Sequence, residues 1–170
     1  MVGCETHFFF AEMENEIYKI IYSFFEKTRY GIIDLIERGE KGTKVIEIFV
    51  DSEEPINIDE LAKMNRELND IIDSQEIELD ISKLVVSSPG TERSFKFFWQ
   101  LKKHTGRILE IELNSGEKIE GILTEADNES SGLVMVNILR KEKGKKITEE
   151  LRVFKFSDIK ESRVKISFSK

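Results

Sequence analysis

The stretch Leu84-Val85-Val86-Ser87-Ser88-Pro89-Gly90 divides this chain of 170 residues into two regions with different hydrophobic patterns. Its three leading apolar residues predict a short buried strand. Pro89 then removes a backbone donor and Gly90 permits a positive φ, so the strand is expected to end in a tight loop. What precedes and follows this loop decides the fold.

Upstream of the loop the pattern predicts helix, strand, strand and helix. The first helix, ended with the help of Gly31, follows from an apolar period of three or four residues at Met13, Ile17, Ile20, Ile21, Phe24 and Phe25. Residues 32–37 and 45–51 are rich in Ile and Val, and the glycines between them are typical of an antiparallel hairpin. Asn57, three residues before Glu60, predicts a capping-box-like start to the second helix.

With the strand at 84–86, this order predicts a two-layer α/β sandwich over residues 1–94, in which both helices cover one face of a small sheet. Downstream, a short helical connector is expected at 95–103, and the hydrophobic period then switches to two. The alternation predicts five strands closing a small β-barrel over residues 95–170, at 109–113, 118–124, 133–139, 151–156 and 164–168. Gly121 lies inside its strand, where a sharp bend is expected. The fold class is α+β.

Composition excludes several classes of protein. Hydrophobic residues make up 39% and charged residues 35% of the chain, which is the balance of a folded domain. Cys4 is the single cysteine, so neither an intramolecular disulfide nor a cysteine-based zinc site is expected. The apolar triplet at 8–10 is too short for a secretion signal, and no later run has membrane-spanning length. A cytoplasmic protein with no membrane partner is expected.

The net charge of −7 is unevenly distributed between the two regions. Residues 1–94 contain 10 basic and 21 acidic side chains, whereas residues 95–170 contain 16 and 12. Phosphate neutralisation by Lys and Arg supplies most non-specific affinity for nucleic acid. The acidic region is therefore better suited to a basic protein partner than to RNA.

The sequence resembles the family of the ribosome maturation factor RimP at three places. The strongest is residues 84–90 followed by Glu92, Arg93 and Lys96, which is similar to the central signature of that family. The second runs through Phe49-Val50-Asp51, Ile58-Asp59-Glu60, Asn65-Arg66-Glu67-Leu68 and Ile71-Ile72-Asp73. The third is residues 156–160, which resemble the segment that closes the C-terminal barrel of the family.

The resemblance implies an N-terminal α/β domain, a C-terminal SH3-like barrel, and a cytoplasmic factor that assists assembly of the small (30S) ribosomal subunit. It implies binding to immature small subunits and to a basic small-subunit ribosomal protein near the decoding centre. Contact with rRNA is left open, and a monomer is expected. The alternative is an Sm-like RNA-binding module, because residues 116–127 also resemble the strand pair of Sm-like rings. That alternative does not explain the acidic first domain.

The candidate contact residues form three groups. The loop Ser87, Ser88, Pro89 and Gly90 could offer hydroxyl and amide groups to a phosphate or a partner backbone, although it could also be only a turn. Arg93 could clamp a phosphate, or it could pair with Asp51 or Asp59. The remaining basic candidates could touch rRNA or simply be solvated, and they are Arg66, Lys96, Lys102, Lys103, Arg107, Lys143, Lys145 and Lys146. Phe98 and Trp99 lie near Lys102, Lys103, His104 and Arg107, as on aromatic and basic RNA-binding surfaces, although packing between the domains is the favoured interpretation.

Neither an enzyme nor a metal site is expected. The only histidines are His7 and His104, and no nucleophile-elbow or other catalytic signature accompanies Ser87 or Ser88. Asp51, Glu53, Glu54 and Asp59 form an acidic cluster, but Pro55 interrupts it and the alternation of a Ca²⁺ loop is absent. No catalytic residue, cofactor or metal ligand is therefore assigned.

Overall fold

The computed structural model describes residues 16–39, 44–74, 81–127, 132–141 and 147–166. The chain divides into two compact units, the first formed by Met1–Ser52 with Ile56–Ser88 and the second by Glu53–Pro55 with Pro89–Lys170. Both helices and sheets are present, so the α+β class is confirmed. No helix in the described part of the chain is long and apolar enough to span a membrane.

The first unit has two helices and a three-stranded sheet in the order β1-β2-β3. Its elements, in chain order, are α1 (Glu16–Phe25), β1 (Gly31–Arg38), β2 (Val45–Asp51), α2 (Ile58–Asp73) and β3 (Lys83–Ser87). β1 and β2 are antiparallel, as the hairpin pattern predicts. β2 and β3 are parallel, and α2 lies between them in sequence because parallel neighbours need a long crossover.

Both helices bury their apolar faces in one core with the sheet. Ile46, Ile48 and Val50 alternate along β2 and are at most 1% exposed, so they line a single face of the sheet. From the helices the same core receives Ile17, Tyr18, Ile21, Phe25, Leu61, Met64, Leu68 and Ile72. The two-layer arrangement therefore follows from the two hydrophobic periods.

The end of α1 differs from the prediction. The helix ends at Phe25, and the hydroxyl of Thr28 donates to the carbonyl oxygen of Phe25 at 2.9 Å. The Thr28 hydroxyl thus provides a hydrogen-bond donor for a carbonyl group at the end of the helix, where the helix itself provides none. Gly31 is the first residue of β1 and has no part in ending the helix.

The second unit is a 3₁₀ helix followed by a five-stranded sheet in the order β7-β6-β5-β4-β8. The elements are the 3₁₀ helix Phe98–His104, β4 (Ile108–Leu113), β5 (Lys118–Asp127), β6 (Leu133–Lys141), β7 (Ile147–Lys155), a 3₁₀ turn Phe156–Asp158 and β8 (Ile159–Val164). All four strand pairs are antiparallel. Closure of this sheet into a barrel stays a prediction.

The last two strands begin earlier than predicted. β7 starts at Ile147 rather than at 151, and β8 covers Ile159–Val164 rather than 164–168. β8 has two exposed charged residues, Lys160 and Glu161, before the buried Ser162, so its apolar alternation is too weak to mark a strand. The segment is a strand because its backbone pairs with β4, and backbone hydrogen bonds do not depend on whether the side chains are apolar.

Gly121 lies where two strands approach closely, as its position inside β5 predicts. A Cβ built on this residue would meet Val136 Cγ1 at 2.4 Å and the carbonyl oxygen of Asn137 at 2.6 Å. Any side chain would therefore push β5 away from β6. The core of this unit also contains Leu101 of the 3₁₀ helix, which is fully buried with Leu109, Leu123, Val134 and Val136.

Candidate functional site

Two asparagines of α2 hold the strand that carries the Ser87–Gly90 loop. Asn69 donates from Nδ2 to Leu84 O at 3.1 Å and accepts at Oδ1 from Leu84 N at 3.2 Å. Four residues earlier, Asn65 accepts at Oδ1 from Val86 N at 2.9 Å. β3 is an edge strand, so these amides occupy backbone groups that the sheet leaves unpaired. Sequence reasoning missed this role, because no local pattern links these two asparagines to the backbone of β3.

The loop itself begins at the carboxyl end of β3. Ser87 is the last residue of the strand and pairs with Phe49 of β2. Gly90 is exposed and has φ +66°, and a Cβ there would meet nothing within 4 Å, so only the backbone conformation favours glycine. Because β2 and β3 are parallel, the loop lies at the same end of the sheet as Asp51 and Ser52.

Asp51 is not placed to meet a partner directly. It is 1% exposed, and its carboxylate accepts from the backbone N–H of Ser52 at 2.9 Å. Asp59, Glu53 and Glu54 are exposed, so the acidic residues of this region do not share one environment. Among the described residues no group of three or more His, Cys, Asp or Glu could hold a metal ion.

The start of α2 contains a polar network around Tyr30. Asn57 is the N-cap, as predicted, and its side chain accepts from Asp59 N at 2.9 Å. Glu60 does not complete a capping box: its carboxylate accepts from the hydroxyl of Tyr30 at 2.6 Å, and that hydroxyl accepts from Asn57 N at 3.4 Å. Hydrogen bonds from Tyr30 and Arg29 lower the pKa of Glu60. Burial and the bond to Glu60 raise the pKa of Tyr30.

The basic candidates are spread over both units. Arg66 is exposed on α2, whereas Arg93 is half-buried after the loop and Lys96 is exposed. Lys102 and Lys103 are half-buried on the 3₁₀ helix, where Lys102 Nζ lies 3.1 Å from the carboxylate of Glu53, and Arg107 is exposed just beyond. Lys143, Lys145 and Lys146 lie outside the described residues.

The aromatic residues of the connector divide into two groups. Phe98 meets Phe156 edge-on, with ring centroids 5.8 Å apart, and packs against the core of the second unit. Packing of Phe98 and Trp99 between the domains stays a prediction. Trp99 stacks on Phe97 instead, with a centroid distance of 5.9 Å and an interplanar angle of 8°. Phe97 was missed because a single exposed aromatic has no periodic signal.

Charged side chains on the outer face of the C-terminal sheet form ion pairs with one another. Arg163 pairs with Glu110 at 3.0 Å, and Glu112 lies 2.7 Å from Lys160 and 3.3 Å from Lys118. Hydrogen bonds from these two lysines lower the pKa of Glu112, and the bond from Lys160 has the larger effect. A cavity of about 400 Å³ on this face has a charged lining of Glu110, Glu112, Glu120, Glu161, Lys118 and Arg163. The excess of acidic side chains makes it a poor site for a polyanion.

Comparison with known proteins agrees with the sequence signature. Residues 20–92 match the family model described as the RimP N-terminal domain. A ribosome maturation factor RimP from Prosthecochloris aestuarii (strain DSM 271 / SK 413) is 33% identical over 104 residues, which cover 56% of this chain and 58% of that protein. The aligned part thus spans little more than half of that relative. The family-model match ends at residue 92, two residues past the Ser87–Gly90 loop, so the N-terminal part of the chain is similar to the RimP N-terminal domain.

Proposed function

We propose that this protein is a non-catalytic binding factor that assists maturation of the small ribosomal subunit. The single observation that carries the proposal is the match of residues 20–92 to the RimP N-terminal domain. The similar protein from Prosthecochloris aestuarii is named a ribosome maturation factor, and the two share 33% identity over the aligned residues. The proposal places the activity in binding, so no bond is made or broken.

The geometry of the first unit supports a contact at the Ser87–Gly90 loop. Its strand is held on one side by β2 and on the other by Asn65 and Asn69, so the loop starts from a rigid base. Loops on a rigid scaffold commonly carry binding function because their shape is fixed before the partner arrives. Under the proposal, Arg93 and Lys96 also contact the particle, and the buried Asp51 accepts from the backbone N–H of Ser52 in the first unit.

The opposite net charges of the two regions support a different partner for each region. Residues 1–94 have 11 more acidic than basic side chains, which suits a basic small-subunit ribosomal protein near the decoding centre. Residues 95–170 have four more basic than acidic side chains, and we propose that they form an SH3-like barrel that approaches the rRNA. A cytoplasmic monomer belongs to the same proposal.

Such a factor works by binding one state of the particle better than another. A ligand shifts an equilibrium only by its difference in affinity for the two states, so the immature subunit must be bound more tightly than the mature one. The factor must also leave when assembly is complete. Affinity is therefore expected to be modest and to fall with salt, since exposed charges steer the encounter.

The test is co-sedimentation of the purified chain with immature and mature small subunits, with free RNA as competitor. Selective recovery with immature subunits supports the proposal. Equal binding to mature subunits contradicts it. Salt-sensitive RNA binding by a ring oligomer, without preference for any subunit, would favour the Sm-like alternative instead.

A further inference from the structure

Phe97 and Trp99 form an aromatic stack on the surface of the second unit. Their rings are nearly parallel, with an interplanar angle of 8° and centroids 5.9 Å apart, which is within the range of offset-stacked pairs. Trp99 is half-buried, but Phe97 is 43% exposed. Trp99 thus packs beside the Phe97 ring, while a large part of the surface of Phe97 remains accessible.

The buried side chain of Gln100 fixes the backbone that carries this stack. Gln100 is 1% exposed, and its Oε1 accepts from the backbone N–H groups of Lys96 at 2.8 Å and Phe97 at 3.0 Å. In return Gln100 N donates to Phe97 O at 3.1 Å. Breaking the hydrogen bonds of a buried amide side chain costs free energy. The backbone of Phe97 is therefore held in place before any ligand binds.

Several basic residues are close to the stack in sequence. A 3₁₀ helix has three residues per turn, so Trp99 and Lys102 lie on the same side of Phe98–His104. Lys96 precedes Phe97 directly, and the exposed Arg107 follows the helix. Lys102 also pairs with the carboxylate of Glu53 at 3.1 Å.

We propose that Phe97, backed by Trp99, is a stacking platform for an unpaired base of single-stranded RNA. An accessible aromatic ring beside basic residues is the combination that binds such strands, because every base has a π-face and every nucleotide has a phosphate. The inference rests on the proposed function, since immature subunits would supply the exposed strands. It adds base stacking on Phe97 to the polar contacts that the Ser87–Gly90 loop offers.

A solvated surface aromatic is the competing explanation. Single exposed apolar side chains are common and usually have no role. Phe97 differs from the exposed Leu151, which is 56% exposed on edge strand β7, in three respects: it is stacked, its backbone is held by a buried side chain, and it directly follows Lys96 in the chain. Leu151 is therefore the matched control for exposure alone.

Trp99 provides the readout because it is the only tryptophan in the chain. The experiment titrates the full chain with a single-stranded oligoribonucleotide about 12 nucleotides long, within the usual range of site sizes, and follows tryptophan fluorescence. The same strand annealed to its complement and inorganic polyphosphate are the comparison ligands. The variants are Phe97→Ala, Phe97→Tyr, Leu151→Ala and Arg107→Ala, and circular dichroism checks the fold of each.

The expected result is a change in Trp99 fluorescence with the single strand and a much smaller change with the duplex. Phe97→Ala should weaken single-strand binding roughly tenfold, which is the loss typical of one stacked base. Phe97→Tyr should retain affinity, and Leu151→Ala should have no effect. Arg107→Ala should weaken binding of RNA and polyphosphate alike, as expected for a phosphate contact.

Three outcomes would overturn the platform. One is equal binding of single strand and duplex. A second is an equal loss for Phe97→Ala with RNA and polyphosphate. The third is loss of binding to a basic ribosomal protein in Phe97→Ala while RNA affinity is unchanged, which would make Phe97 a protein contact. If Phe97→Ala co-sediments normally with immature subunits and binds RNA normally, only this inference fails. If the unaltered chain binds RNA through Phe97 but no immature subunit, only the proposed function fails.

Discussion

Asn69 forms a two-way hydrogen-bonded pair with the backbone of Leu84, donating to its carbonyl oxygen at 3.1 Å and accepting from its N–H at 3.2 Å. The amide side chain thereby takes the place of a neighbouring strand along the free edge of β3. Asn65 extends the arrangement to Val86 N at 2.9 Å. An edge covered in this way cannot recruit another strand, so β3 leads into its loop without a pairing partner on that side.

Asn69→Ala should lower the free energy of unfolding by about 1–3 kcal/mol, because the N–H and C=O of the buried Leu84 lose their partner. Urea unfolding followed by circular dichroism measures the loss. Asp70→Ala, at the neighbouring exposed position of α2, is the control and should change stability by at most about 0.5 kcal/mol. Equal effects of the two substitutions would mean that the pair contributes nothing specific.

Gly121→Ala should be more damaging than Gly90→Ala. The added Cβ would lie 2.4 Å from Val136 Cγ1 and 2.6 Å from a backbone oxygen, so β5 and β6 must separate, at a cost of about 1–3 kcal/mol or more. Gly90 has open space around it, so alanine there meets only the left-handed backbone penalty of about 1–2 kcal/mol. Thermal unfolding of both variants gives the comparison, and a milder Gly121→Ala would show that the strands can yield.

Stability should fall on acidification because three carboxyl groups have a lowered pKa in the folded chain. Hydrogen bonds lower the pKa of Glu60 through Tyr30 and Arg29, of Glu37 through Lys44 and Tyr18, and of Glu112 through Lys160 and Lys118. A lowered pKa means that the contribution is present above the unfolded value and is lost as the pH falls through the folded value.

The unfolding free energy should therefore be nearly constant from neutral pH to about pH 5 and should decrease below that. Glu60→Gln should flatten part of this decrease, because the titrating group is removed while a weaker acceptor for Tyr30 remains. Urea unfolding midpoints at a series of pH values provide the measurement. If the stability of Glu60→Gln decreased with falling pH as steeply as that of the unaltered chain, Glu60 would not contribute to the acid sensitivity.

Arg93→Ala should weaken association with immature small subunits while changing stability by at most about 0.5 kcal/mol, since Arg93 is assigned to the contact and not to the core. Lys83→Ala, which removes an exposed cation at the start of β3, is the matched control for charge. Sedimentation with immature subunits and urea unfolding are both required. Unfolding of Arg93→Ala would make this residue structural.

Local patterns determined much of the fold of this protein. The period of the apolar residues predicts both helices of the first unit and most strands of the second, since burial of one face imposes that spacing on each element. The N-cap at Asn57 and the glycine at position 90 are equally local, because cap and turn geometry depend on a few neighbouring residues. The Ser87–Gly90 signature also indicated the similarity to the RimP family.

Only the tertiary structure decided which polar groups meet. The bonds from Asn69 to Leu84 and from Tyr30 to Glu60 join residues 15 and 30 positions apart, and no local pattern specifies such pairs. The same holds for β8, whose polar sequence becomes a strand through pairing with β4, and for Phe97, whose stack depends on the backbone that Gln100 holds. Hydrophobic periodicity is a property of each segment, whereas hydrogen-bond partners exist only after the segments have packed.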